Sequence, residues 1–135
     1  MVGIDGSEAS ERALVWAADE ARLRGARLRV VHSWLEVFVD GYFTAPAIYA
    51  REEIEQAARE LLDKAIASIP DGSPELRVEG VLAHGQAATV LLDEASNADL
   101  VVVGSRGRGG FAGMLLGSVS QRVVHHAPCP VVVVR

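Results

Sequence analysis

The sequence has one cysteine, Cys129, so no disulfide can form within the chain and no zinc site of the CxxC type exists. No run approaches the ~18 apolar residues that a membrane helix needs. Asp5 and Glu8 interrupt the opening residues at once, so no signal peptide is expected there. Positive charge is scarce. The net charge is −5, which argues against a general nucleic-acid binder, and any anion site has to be built locally. The expectation from these absences is a soluble, cytoplasmic domain with neither membrane nor nucleic acid as partner.

The 135 residues suit one domain, 1–135. Half are hydrophobic and 23% are charged, a balance that excludes intrinsic disorder. A fold of this size buries roughly 68–70% of the surface of its unfolded chain, enough for a core without disulfides or a structural metal.

Short β-branched runs alternate with helical patterns. Val2–Ile4 reads as a short first strand. Residues 8–24 read as a helix, with Ala13, Ala17 and Ala21 on one face beside Leu14, Ser7 as N-cap and Gly25 as the stop. Residues 28–32 read as strand two. A second helix over 52–69 turns Ile54, Leu61, Ala65 and Ile69 inward and ends at Pro70, Asp71 and Gly72. Strand three is expected over 76–82, a third helix over 87–96 with Val90, Leu91 and Ala95, and a buried strand over 100–103. A fourth helix over 118–126 and a strand over 131–134 complete the chain. This βαβαβαβαβ order predicts an α/β fold: parallel strands, right-handed crossovers and helices on both faces. Ligands on such sheets sit beyond the carboxyl ends of the strands, where the strand order reverses.

The densest signal follows strand four. Five of the thirteen glycines, Gly104, Gly107, Gly109, Gly110 and Gly113, fall within ten residues. Glycines permit positive φ and close backbone approach, and consecutive N–H groups in such a loop form an anion nest. Arg106 and Arg108 add positive charge. The helix after Gly117-Ser118 offers its positive end, and Ser118 with Gln121 fits a capping box. A phosphate group suits this combination. A flexible surface loop with an ordinary helix cap is the competing reading. A Walker loop fails, since the only lysine is Lys64 in helix two. A dinucleotide fingerprint forced onto Gly107, Gly109 and Ala112 lacks its acidic residue, because the expected place holds Val131–Val134 and Arg135. No G-x-S-x-G elbow proposes a nucleophilic triad.

These residues resemble the universal stress protein family. The G-x2-G-x9-G-[ST] pattern of its ATP-binding branch stands complete as Gly104, Gly107, Gly117 and Ser118. The opening, with Asp5-Gly6-Ser7 after the first strand, is similar to the family's first turn, and Pro128-Cys129-Pro130-Val131 to its entry into the last strand. The likeness covers essentially the whole chain, although the family's first strand usually starts further upstream. It implies a five-stranded Rossmann-like parallel sheet of order 3-2-1-4-5. It also implies an ATP-binding regulatory protein in stress response, with Mg or Mn accompanying ATP. By this analogy Asp5 accepts hydrogen bonds from the ribose and the backbone at Ser33 faces adenine. Gly104 opens the motif. Gly107, Arg108 and Gly117 lie along the phosphates, with Ser118 and Val119 at the helix start. Cyclic AMP is the alternative ligand, and a weak ATP hydrolase or a nucleotide-independent dimeric interaction module the alternative activity. Family members pair through the last strand, which implies a homodimer through Val131–Val134 that an as yet unnamed protein partner reads.

Some features carry two readings. Asp5 suits a hydroxyl acceptor, with a turn in which its carboxylate bonds N–H groups near Ser7 as the alternative. The segment from Trp34 to Tyr49 holds five of the seven aromatics and either folds over the nucleotide, presents an apolar partner surface or packs on its own domain. Cys129 reads as a small buried hydrophobe. His32, His84, His125 and His126 show no metal spacing and read as structural or solvated.

Overall fold

The computed structural model describes residues 1–35, 46–72, 75–109 and 115–135. Five strands and four helices alternate: β1 (Val2–Ile4), α1 (Glu8–Arg24), β2 (Leu28–Trp34), α2 (Pro46–Ala67), β3 (Val78–His84), α3 (Ala87–Ala95), β4 (Val101–Gly104), α4 (Ser118–His126) and β5 (Val131–Val134). All pairings are parallel, and the order across the sheet is β3-β2-β1-β4-β5. The expected architecture is therefore the observed one. None of the described helices is long and apolar enough to cross a membrane.

The side-chain alternation of the strands divides the core in two. Val2, Ile4, Leu28, Val30 and Val102 face α1 and α2, whose Ala13, Leu14, Ala17, Ala18 and Leu62 close over them. Val31, Val101 and Val103 point the other way, onto Val90, Leu91 and Ala95 of α3 and Val123 of α4. Cys129 packs at the margin of this second layer, its Sγ 3.7 Å from the Ala95 carbonyl, as a half-buried hydrophobe.

α1 is held as its sequence suggests. Ser7 Oγ accepts from the Ser10 N–H at 3.3 Å, and Gly25 ends the helix at φ 60°. Its alanine stripe brings its backbone close to the sheet. A Cβ on Gly104 would stand 2.7 Å from the carbonyl carbon of Ala9, so β4 needs a glycine where α1 crosses it.

Several boundaries differ from the sequence reading. β2 runs on through Ser33 and Trp34 because both pair with β3, at Ala83 and His84. The Trp34 ring meets the His84 ring edge-on at 4.7 Å. β3 and β4 both begin later than expected. α2 opens at Pro46, six residues before its acidic run; proline is tolerated in a first helical turn, where no intrahelical N–H is required. Its buried face centres on Ala58 and Leu62, with Leu61, Ala65 and Ile66 beside them. Within the aromatic segment, Trp34 is buried on its own domain, while Phe38, Tyr42 and Phe43 lie outside the described residues.

The Gly104 contact gives a direct test. Gly104→Ala forces a methyl into the α1 backbone and should cost about 1–3 kcal/mol in urea unfolding, the range for overpacked cores.

Candidate functional site

The strand order reverses between β1 and β4. Beyond the carboxyl ends of β1, β2 and β4 the chain encloses a cleft of about 480 Å³, within the range of small-ligand sites. Asp5, Ser33, Gly104, Gly107, Arg108, Gly117, Ser118 and Val119 all line it. Residues over a hundred positions apart are thus brought to one site. Asp5 enters from β1, Ser33 from β2, and the rest from β4, its following loop and the start of α4.

The wall was not foreseen. Val31, Val103, Leu91 and Ala87 supply an apolar side. Gly3 makes room for Leu91, since a Cβ there would lie 2.8 Å from both Leu91 Cδ atoms. These residues look like ordinary core in the sequence. Only their position at the switch point turns them towards the cleft.

At the polar end, Asp5 organises two chain segments. Its Oδ1 accepts from the Ser7 N–H at 3.0 Å and from the Ser7 hydroxyl at 2.6 Å. Its Oδ2 accepts from the Arg108 N–H at 3.1 Å. The Asp5 N–H donates to Ser10 Oγ at 3.3 Å, and the Ser10 hydroxyl donates to the Ser7 carbonyl at 2.8 Å. The turn role weighed for Asp5 is therefore present. Gly6 between them sits at φ 75°, a conformation suited to glycine.

The glycine-rich loop uses one of the two properties that its glycines offer. Among the described residues positive φ occurs at Gly6, Gly25 and Gly85, and at none of Gly104, Gly107, Gly109 or Gly117. Close approach is the reason where one is visible: a Cβ on Gly107 would meet Asp5 Oδ2 at 2.5 Å. Gly110 and Gly113 lie outside the described residues. The capping box is also corrected. Ser118 is the first helical residue, Gly117 is the N-cap, and no side chain caps α4. Instead, the Gly117 N–H donates to the Ser105 carbonyl at 2.8 Å, and the buried Ser120 hydroxyl donates to the Gly104 carbonyl at 2.6 Å. These two bonds fix the helix start against β4 and leave its first turn, at Ser118 and Val119, beside the cleft.

Arg106 and Arg108 both line the cleft with exposed side chains. His32 is structural, its Nδ1 2.9 Å from the Ile4 carbonyl. Among the described residues no three His, Cys, Asp or Glu side chains come together as a metal site.

Burial pushes the Asp5 carboxyl up, but hydrogen bonds from the Ser7 hydroxyl, the Ser7 N–H and the Arg108 N–H outweigh it and hold the group below its ordinary 3.8. A carboxyl more acidic in the folded state stabilises the fold fully above its unfolded value, and that stability is lost as pH falls through the folded value. Asp5→Asn should therefore be less stable than the parent at pH 7. Urea unfolding followed down the pH scale should show the difference shrinking below about pH 3.8.

The universal stress protein family model matches residues 1–135. A universal stress protein of Mycolicibacterium smegmatis is 47% identical over 135 residues, the whole of this chain and 45% of that protein. The chain thus spans about half the length of that relative. A universal stress protein crystallised in complex with cAMP is 30% identical, with TM-score 0.62 over 99% of this chain and 93% of that one. The universal stress protein from Archaeoglobus fulgidus in complex with dAMP is 27% identical, with TM-score 0.58 over 99% and 94%. With a family match along its full length and a relative 47% identical over the same residues, the chain belongs to the universal stress protein family.

Proposed function

We propose that this domain binds an adenine nucleotide, ATP with cyclic AMP as the alternative ligand, and that occupancy regulates its assembly with a partner. One observation carries the reading: all eight residues marked by the family motif and its neighbouring turns line a single cleft at the switch point. The likeness to proteins solved with cAMP and with dAMP supports the adenine class. Each of those two nucleotides carries one phosphate and one free ribose hydroxyl.

The chemistry of the cleft fits such a ligand. The apolar side suits a flat base, with the backbone at Ser33 facing it. Asp5, an acceptor when ionised, suits sugar hydroxyls and repels phosphate. The phosphates then lie towards Gly107, Arg108 and Gly117, where the uncapped first turn of α4 adds its positive end and free N–H groups. The Arg106 and Arg108 side chains supply charge that the acidic composition otherwise lacks. A Mg or Mn ion would arrive with ATP and be held mainly by the phosphates, since the described residues gather no three-ligand metal cluster. Asp5 is the one carboxylate on the cleft among the described residues, and its place at the sugar favours binding over hydrolysis.

β5 is the outer strand of the sheet, with four consecutive half-buried valines. An unpaired apolar edge of this kind invites a further strand. We assign it to a second copy of the domain, giving a homodimer whose form the nucleotide biases. Such bias requires different nucleotide affinities in the two forms.

Calorimetric titration of nucleotide-stripped protein with ATP, and with cyclic AMP in competition, tests the reading. Saturable binding is expected, weakened about tenfold or more by Gly117→Val, the loss that goes with one or two strong contacts. Gly117 has φ −72°, open to any residue, and a Cβ there meets nothing nearer than 3.5 Å; circular dichroism checks that the variant folds. Unchanged ATP binding by Gly117→Val would place the phosphates elsewhere. Sedimentation velocity with and without ATP reads the dimer.

A further inference from the structure

The two oxygens of Asp5 are not equivalent. Oδ1 already receives two donors, the Ser7 N–H at 3.0 Å and the Ser7 hydroxyl at 2.6 Å. A carboxylate oxygen has two in-plane lone pairs, so Oδ1 is saturated. Oδ2 receives one donor, the Arg108 N–H at 3.1 Å, and keeps one lone pair. The Ser7 proton has one other acceptor near it, the Arg106 carbonyl at 3.4 Å, and the much shorter bond to a charged oxygen prevails. The Ser10 hydroxyl is committed to the Ser7 carbonyl at 2.8 Å. One acceptor position on Asp5 is therefore left for a ligand.

We propose that Ser7 is a positioning residue that sets the sugar specificity of the cleft: by filling Oδ1 it makes Asp5 an acceptor for a single ribose hydroxyl. The site then takes adenine nucleotides with one free hydroxyl about as well as those with the full 2′,3′-diol. A site that used both carboxylate oxygens on the diol would reject either deoxy form. This inference rests on the reading that Asp5 faces the ribose.

The Arg108 N–H shares Oδ2 with that hydroxyl. The sugar and the glycine-rich loop are thereby joined through one oxygen atom. Ser7 acts at a distance from the ligand, through Asp5, and its hydroxyl also caps α1 by accepting from the Ser10 N–H. Stability alone therefore does not report its role. The ratio of affinities between nucleotides that differ only in their sugar does.

The test is calorimetric titration with ATP, 2′-deoxy-ATP, 3′-deoxy-ATP and 2′,3′-dideoxy-ATP. For the wild-type protein, at least one monodeoxy nucleotide should bind within about threefold of ATP. The dideoxy nucleotide should bind about tenfold more weakly or worse, the loss expected for a hydrogen bond to a charged group. Ser7→Ala frees a lone pair on Oδ1, so ATP should then pull ahead of both monodeoxy forms by about fivefold. Ser7→Thr, which keeps the hydroxyl, should restore the wild-type ratios. If wild-type protein binds ATP but loses about tenfold on removal of either hydroxyl, the ribose reading stands and the single-acceptor inference is overturned. Equal ratios in wild type and Ser7→Ala overturn it too. If the dideoxy form binds as tightly as ATP, or no nucleotide binds, the ribose reading itself fails and takes this inference with it.

Discussion

A carboxylate at the end of β1 ties together two segments more than one hundred residues apart. Asp5 takes the N–H and hydroxyl of Ser7 on one oxygen and the N–H of Arg108 on the other. The first bonds shape the turn into α1, and the last holds the loop after β4 across the strand switch point. Gly107 can lie this close because it has no Cβ to meet Oδ2. The same half-buried group that closes the turn is the acceptor at the polar end of the cleft. Fold and site thus depend on one ionised side chain, and its lowered proton affinity records how strongly its neighbours favour the charge.

Much of this was legible in the sequence. The alternation of short valine-rich runs with helical patterns gave the sheet and its helices, because strands buried on both faces read as continuous apolar runs, as at Val101–Val103. The switch-point rule, with the spacing of Gly104, Gly107, Gly117 and Ser118, located the cleft. Local signals also succeeded where a cap is chemically unambiguous, as at Ser7 and Gly25.

What escaped depends on distant partners. β2 continues through Trp34 because β3 offers a ladder there, and no local pattern encodes a partner strand. The apolar wall of Leu91, Ala87 and Val31 is indistinguishable from core until the fold places it at an opening. The sequence leaves open whether the loop glycines serve positive φ or close approach, and those described avoid positive φ. At Gly104 and Gly107 they are needed for closeness, to α1 and to Asp5. Sequence shows that a glycine is present; only packing shows which of its two properties is in use. The capping box at Ser118 failed for a related reason. Bonds to the Ser105 and Gly104 carbonyls fix the helix start one residue earlier, without a side-chain cap.

The proposed function requires an adenine nucleotide to bind in the cleft beyond β1, β2 and β4. Amide chemical shifts of the isotopically labelled protein, followed by NMR during titration with ATP, test it most directly because they report every site at once. Saturable shifts are expected, concentrated at Asp5, Ser33, Gly107, Arg108, Ser118 and Val119. Shifts confined to the opposite end of the sheet, around Ala26 and Ala98, or no saturable shifts at all, would contradict it.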